Sequence, residues 1–578
     1  MSNREIAAVF SRIADALEIK GENVFRVRAY RTAAQNITGL SRELEDIRGE
    51  NPDLLDNIPG IGKDLKAKIL EMIETGRLSY YDDLTGEFPK GFMELLNIAG
   101  LGPRKLKKLY DELGIRDIDD LEDACNKKKL GSIEGMGEKT QEKFLEAIEH
   151  YRKRQGRMLL PEAYAYAEKI TEYLSRSGIF TRIEKAGSLR RGSETVGDID
   201  ILAIARDNTE AMDHFTSYPA VESVIAKGPT KSSVTLKDGP QVDLRVIDSS
   251  CFGAALVYFT GSKEHNIKIR QLAKNRGWKV NEYGLFSVDE PAKKEKFIAG
   301  KTEEEVYAEL GMEWIPPELR ESRGELEAAV NGTLPGKLID IRDIRGDLHL
   351  HTTETDGRAS IGELAEAARE KGYKYIAITD HSKYVRIANG MDEKRFSAHL
   401  AKIRKANRGV KDLEILAGVE VDILEDGSLD FSDTVLKEAD IVIAAIHSHF
   451  GLDKEKQTGR ILRALDNKYV NILAHPSGRL ITSRASMRID FDRVFAKAAE
   501  NKVFMEINTH GERIDLSDVN CMRAKEFGVK FAIDTDAHEA RQMDLVRFGV
   551  ITARRAWLKK KDVLNTCSFA ALMKALKK

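Results

Sequence analysis

The chain has 578 residues, 42% hydrophobic and 32% charged, with a formal net charge of −2. At roughly 150 residues per domain it is expected to hold several domains, each able to bury a core. No apolar run is long enough to span a bilayer and no signal-type segment opens the chain. The four cysteines are scattered without a CxxC, which argues against a disulfide framework or a thiolate zinc site. A protein of the reducing cytoplasm, off the membrane, is expected.

The near-zero net charge hides an uneven distribution. Basic runs (PRKLKKLY, NKKKL, HYRKRQGR) crowd the first 160 residues, a pattern that fits a nucleic-acid backbone. Residues 1–150 read as helices joined by short glycine turns. One pattern recurs three times: IPGIGKDLKAKI (58–69), IAGLGPRKLKKLY (98–110) and IEGMGEKTQEKF (133–144). The glycines of each pair (Gly60 and Gly62, Gly100 and Gly102, Gly135 and Gly137) let a backbone approach closely. The helix N-terminus behind them offers free N–H groups to a phosphate. These repeats resemble helix-hairpin-helix elements, which grip DNA without reading its bases.

Residues 158–250 change to a helix followed by strands. Asp198 and Asp200, two apart in GDIDIL, are expected on one strand with both side chains on the same face. Asp243, in QVDLRV, is expected on a neighbouring strand. Converging carboxylates repel unless hard divalent cations, Mg²⁺ or Mn²⁺, sit between them, and two such ions suit in-line displacement at phosphorus. Upstream, Gly187-Ser188 and Arg190-Arg191-Gly192 form a turn able to cradle a polyphosphate. Residues 251–318 mix helix and turn. Three of the 13 prolines fall in 314–338, and 319–338 is expected to be a linker.

From about Ile339 onward, six short apolar runs end in histidine or acid: DLHLH, IAITDH, LAGVEVD, IVIAAIHSH, NILAHP and FAIDTDAH. Nine of the 12 histidines lie in this region. Helical stretches separate the runs, so a parallel β/α sheet is expected, with the ligand-type residues at the strands' carboxyl ends. Imidazole with carboxylate suits Mn²⁺, Zn²⁺ or Fe²⁺, in a cluster of two to three ions.

GSLRRG…GDIDIL, QVDLRV and ALVYFTGSKEHNIKIRQLAKNRGWKVNEYGLF resemble the palm and thumb of family X DNA polymerases, the polymerase beta relatives. The resemblance implies metal binding and catalysis by Asp198, Asp200 and Asp243. It implies nucleotide contacts from Gly187, Ser188, Arg191, Tyr258, Phe259, Gly261, Asn266 and Arg270. ENVFRVRAYRTAAQNI with the first glycine turn resembles that family's lyase domain. By that resemblance Arg26, Tyr30, Arg31 and Lys63 would hold a 5′-phosphate, and Lys68, made neutral by nearby Lys63 and Lys66, would form a Schiff base. Two positions depart from the family: Gln241 stands where the polymerase beta branch has a basic residue orienting the triad, and Lys263 where it has an acid.

The C-terminal motifs resemble the polymerase-and-histidinol-phosphatase (PHP) domain. They imply His349, His351, Asp356, His381, Glu420, His447, His475, Asp536 and His538 as ligands, with His449 the weaker of its pair and Arg386 and Arg484 as phosphate holders.

The expected architecture is multidomain. A lyase-like helical domain (1–85) and helix-hairpin-helix fingers (86–157) are all-α. An α+β nucleotidyltransferase palm (158–250) and thumb (251–318) follow, then the linker (319–338). An α/β PHP domain, a distorted β/α barrel, takes 339–578. The expected activity is gap-filling DNA synthesis in base excision repair, with 3′–5′ exonuclease at the PHP site. Apurinic-site endonuclease, 3′-phosphatase or deoxyribose-phosphate lyase activity could accompany it. Gapped or nicked DNA and dNTP are the expected partners of a monomer associated with the nucleoid. The competing reading is a small-molecule phosphatase whose front half regulates it.

Overall fold

A computed structural model describes the chain except for residues 2, 39–43, 90, 99, 134–135, 154–156, 238, 290–293, 482–483 and 578; Gly135 therefore lies outside the described residues. The front of the chain is helical and has two cores. One runs from Ile6 to Leu84 and the other from Phe92 to Ile148, with Ile19 packed into the second. Gly60 and Gly100 take φ of 79° and 81°, which only glycine adopts freely. Gly62 and Gly102 are extended N-caps of the helices Lys63–Thr75 and Pro103–Leu113. The Gly137 carbonyl accepts from Thr140 N at 2.8 Å in the third turn.

The palm begins with β1 (Met158–Leu159), which pairs with β3 (Thr195–Val196). Its main sheet has the order β2-β4-β7-β6-β5, built from β2 (Phe180–Lys185), β4 (Ile199–Ala205), β5 (Val221–Lys227), β6 (Lys231–Leu236) and β7 (Gln241–Val246). The thumb adds the helices Phe252–Thr260 and Lys263–Asn275 and the antiparallel strands β8 (Trp278–Asn281), β9 (Gly284–Asp289) and β10 (Lys294–Ala299). The expected linker carries a helix, Glu325–Val330, and buries Leu319, Leu326, Ala329 and Leu338 in the thumb's core.

In the C-terminal domain, seven parallel strands follow chain order: β11 (Gly346–Leu350), β12 (Tyr375–Ile378), β13 (Glu414–Asp422), β14 (Ile441–Ala445), β15 (Ile472–Leu473), β16 (Phe504–Asn508) and β17 (Phe531–Asp534). The edges nearly close: His351 N donates to Ala537 O at 3.0 Å and Leu348 N to Asp534 Oδ1 at 2.8 Å. This domain is seated on the palm. Ile514 and Phe548 belong to the palm's core, and Phe548 meets Tyr164 edge-on at 5.5 Å.

One buried ion cluster ties palm to thumb. Glu303 accepts from Arg190 at 2.7 and 2.9 Å, from Arg320 at 2.7 and 3.1 Å and from Trp314 Nε1 at 3.1 Å. Its carboxyl is held far below the usual range: burial opposes this, and the Arg320 and Arg190 guanidinium groups overcome it. Glu303→Ala strands the fully buried Arg320, so a loss of about 3–5 kcal/mol is expected in urea unfolding. A loss well under about 1 kcal/mol would contradict a structural role for this cluster.

Two candidate metal centres

Asp200 and Asp243 are directly opposed across the parallel β4–β7 pair. Asp198 sits in the bend just before β4 rather than on the strand as expected. The three carboxylates are brought together. Burial and the charges of Asp198 and Asp243 push the Asp200 carboxyl up to about 7, and burial with Asp243 raises Asp198. Asp243 falls below its ordinary value. Burial opposes this, but Lys231 Nζ lies 2.6 Å from Oδ2 and Gln241 Nε2 donates to Oδ1 at 2.9 Å. Lys231, across the β6–β7 pair, therefore supplies the cation that Gln241 cannot. Converging carboxylate oxygens, two of them pushed toward the protonated form by burial and by each other's charge, are the donor set a pair of hard cations fits.

Gly187 lies against this triad: a Cβ there would stand 2.4 Å from Asp200 Oδ2. Arg191 bridges the turn to the thumb, donating from Nε to Glu321 at 3.0 Å and from Nη1 to Thr260 O at 2.6 Å. Its Nη2 makes no hydrogen bond among the described residues. Gly261 packs on the same guanidinium. Asn266 Nδ2 donates to Tyr258 O at 2.6 Å, and Arg270 Nε to Asn266 O at 3.3 Å. Tyr258 and Phe259 are in edge contact, and Arg245 lies over Phe259. Ser188 is the second residue of the short helix Gly187–Arg190, its hydroxyl making no hydrogen bond among the described residues, and Lys263 is exposed.

The N-terminal expectations need correction. Tyr30 is a core residue, 2% exposed, packed between Phe10 and Tyr80, and cannot meet a surface phosphate. Arg31 is engaged by Asp15 and Glu18. Arg26 and Lys63 are exposed, with Arg26 donating to Tyr80 OH at 2.9 Å. Lys68 pairs with Asp64 and lies over the Tyr80 ring, while Lys66 turns away to Asp53 and Asp56. The cationic surroundings expected to keep Lys68 neutral are not formed.

All nine expected ligands of the second centre converge at the strands' carboxyl ends. Glu420, 1% exposed on β13, lies between five histidines: His381 at 2.8 Å, His475 at 3.1 Å, His447 at 3.3 Å, His349 at 3.5 Å and His351 at 3.6 Å. Asp536 lies 3.1 Å from His351, and Asp356 lies 3.4 Å from His381 and 3.3 Å from His538. Three subsets could each hold an ion: His349, His351 and Asp536; His351, Asp356, His381 and His538; and His381, Glu420 and His447. His349 Nε2, both ring nitrogens of His351, His381 Nδ1 and Glu420 Oε2 are buried and, although close to one another, are not aligned for hydrogen bonds. Orphaned polar atoms at such density are costly unless a cation satisfies them. Without one, protons take its place: burial opposes it, but Glu420 and Asp356 push His381 up to about 10.

His449, 40% exposed at the side chain, stays outside the cluster. Arg386 is exposed on a short turn, and Arg484 is spent on Gly478 O and the Phe450 ring. Sequence reasoning missed the groups behind the ligands. Glu506 bonds His349 Nδ1 at 2.6 Å, Asp422 bonds His447 Nδ1 at 3.0 Å, and Asn508 donates to Asp536 at 3.1 Å. Such partners fix ring orientation and tautomer. FMEIN, an apolar run holding an acid, was the available signal for Glu506. Arg513, 4.0 Å from Asp536, carried none.

Comparison with known proteins agrees with this geometry. Models of a helix-hairpin-helix domain match residues 1–78, a SAM-like helix-hairpin-helix tandem 92–149, the DNA polymerase beta thumb 255–321 and the PHP domain 347–510. The chain is 40% identical over 580 residues to the DNA polymerase/3′-5′ exonuclease PolX of Bacillus subtilis (strain 168), covering 100% of both. DNA polymerase lambda of Rattus norvegicus is 27% identical over 292 residues, 46% of this chain and 48% of its own. A probable phosphatase of Thermoanaerobacter sp. (strain X514) is 32% identical over 234 residues, 38% of this chain and 89% of its own.

Proposed function

The chain belongs to the family X DNA polymerases that carry a C-terminal PHP domain, and on that premise we propose that it fills short gaps in base excision repair and trims 3′ ends at its PHP centre. It is a DNA polymerase and a 3′–5′ exonuclease. The observation that carries the proposal is the presence of two separate clusters of converging ligand-type groups, Asp198/Asp200/Asp243 and the nine residues that include Glu420 at their centre, on a chain that opens with DNA-backbone turns.

In synthesis, the primer 3′-hydroxyl attacks the α-phosphorus of a dNTP and pyrophosphate leaves. Asp198, Asp200 and Asp243 would hold the divalent ions, which when bound would supply the charge stabilisation this displacement needs. Lys231 keeps Asp243 ionised and oriented. Arg191 offers its remaining N–H groups, with Ser188, to the triphosphate, and Gly187 leaves room beside Asp200. Tyr258 and Gly261 border the sugar, and Asn266 and Arg270 the nascent base pair. In degradation, water attacks a terminal phosphodiester at the PHP centre. These imidazoles and carboxylates would hold Mn²⁺, Zn²⁺ or Fe²⁺, which when bound would lower the pKa of that water, and Glu506, Asp422 and Asn508 orient the would-be ligands. The same chemistry serves 3′-phosphates and apurinic sites. Lys68 is the candidate for lyase activity, tested by borohydride trapping on a 5′-deoxyribose phosphate with Lys68→Ala. Gapped DNA, dNTP, a monomeric state and a place at the nucleoid complete the reading.

A gapped substrate with dNTPs and Mn²⁺ separates this from a phosphatase with a regulatory front half: the phosphatase reading requires no primer extension. A pH dependence follows from the triad. With Asp200 near 7, the carboxyl holds its proton below that pH and must release it to accept an ion. The Mg²⁺ concentration giving half-maximal extension should therefore rise about tenfold per pH unit below about 7 and level off above it. Because the folded value exceeds the unfolded one, the metal-free fold loses stability as pH rises from about 4 to about 7, and bound metal cancels that loss. A Mg²⁺ requirement that stays flat from pH 6 to 8 contradicts the assignment.

A further inference from the structure

The seam between the PHP domain and the palm holds an unbroken line of alternating charge. Arg191 Nε donates to Glu321 at 3.0 Å. Arg555 Nη1 donates to the same Glu321 oxygen at 2.8 Å and to the backbone oxygen of Arg191 at 2.7 Å. Arg555 Nε donates to Asp518 at 2.8 Å, and Arg323 Nη1 reaches that oxygen at 2.9 Å. The Arg555 side chain is 8% exposed and closes the helix Val546–Arg555. One turn earlier on that helix, Ile551 fills the space at Gly192, where a Cβ would come within 2.1 Å of its Cγ2. Beyond Gly192, Glu194 accepts from Arg479 of the PHP domain at 2.7 Å. The palm turn is therefore held by the PHP domain at three successive points: the Arg191 carbonyl, Gly192 and Glu194.

Glu321 is a competitor for Arg191. A carboxylate that had this guanidinium to itself would draw it away from an incoming polyphosphate. Sharing Glu321 with Arg555 weakens that pull. The hydrogen bond from Arg555 to the Arg191 carbonyl also fixes the backbone carrying the guanidinium.

We propose that Arg555 of the PHP domain is a positioning residue of the polymerase site: it holds the Arg191 turn and offsets Glu321 so that Arg191 can meet the triphosphate of the incoming nucleotide. The nuclease domain thus completes the nucleotide grip of the polymerase. This rests on the reading of Arg191 as a triphosphate contact.

The test is steady-state gap filling by the full-length protein, with KM for dNTP and kcat measured separately for Arg555→Ala, Arg555→Lys, Arg191→Ala and the Arg191→Ala/Arg555→Ala pair. Exonuclease on single-stranded DNA and bound-metal content report that the PHP domain remains intact. Arg555→Ala should raise KM about tenfold, the worth of one charge-assisted hydrogen bond, with kcat and exonuclease retained. Arg555→Lys, which keeps the charge, should recover part of the loss. In the pair, Arg555→Ala should add nothing to the effect of Arg191→Ala. If Arg191→Ala itself leaves KM unchanged, the triphosphate reading of Arg191 is wrong. If Arg191→Ala raises KM but both Arg555 variants stay at the wild-type value, or if the two effects simply multiply, the positioning role is overturned. Should Arg555→Ala fail to fold, Arg555→Lys decides alone: wild-type KM overturns the proposal and a raised KM at constant kcat supports it.

Discussion

Glu420→Gln is expected to cut the 3′–5′ exonuclease roughly a thousandfold or more while primer extension persists. A loss of several kcal/mol of charge stabilisation in the transition state corresponds to that factor. Five histidines surround the Glu420 carboxylate, the farthest at 3.6 Å; burial opposes its charge, and the imidazoles of His447, His381 and His349 overcome that and hold it ionised. Without it, the ion subset of His381, Glu420 and His447 loses its only anion. The palm triad shares no residue with this cluster, so synthesis has no reason to fall. Shortening of a 5′-labelled primer and extension in a gapped duplex, read from one preparation, check both halves. Undiminished shortening in the variant would sink the assignment of the nuclease to this centre.

The reciprocal result is expected from Asp198→Ala combined with Asp200→Ala. Extension should drop by roughly a thousandfold or more, since both ions lose shared ligands, and exonuclease should continue. Folding should not suffer: Asp200 is raised to about 7 by burial and by its neighbours' charges, so it is a group the metal-free fold tolerates rather than one it depends on. Extension surviving in this variant contradicts the palm assignment.

What could be read in advance divides along physical lines. The convergence of the candidate PHP ligands was legible because their chemistry and their placement coincide: short apolar runs become parallel strands whose ends carry imidazoles or carboxylates. The palm triad was legible because parallel pairing of two apolar strands sets Asp200 against Asp243. Lys231 was not, because its reach to Asp243 depends on the β6–β7 pairing rather than on any spacing in the chain. Tyr30 was assigned to a phosphate by resemblance to the lyase domain, whereas the helix here turns its ring inward toward Phe10. The linker was read from the prolines and turn residues of 314–338, and the apolar spacing of Leu319, Leu326 and Ala329 that packs this stretch on the thumb was overlooked. The seam from Arg191 to Arg555 was invisible, since its members stand up to 364 residues apart and match by charge alone.

On the proposed reading, one chain holds a synthetic and a hydrolytic site that act on the same DNA 3′ end. The most direct measurement follows a 5′-labelled primer in a gapped duplex with wild-type protein and Mn²⁺, with and without dNTPs. Products shorter than the primer without dNTPs, and longer ones once they are added, are predicted. A primer that keeps its length in both conditions, while a small phosphomonoester is hydrolysed, would contradict the account.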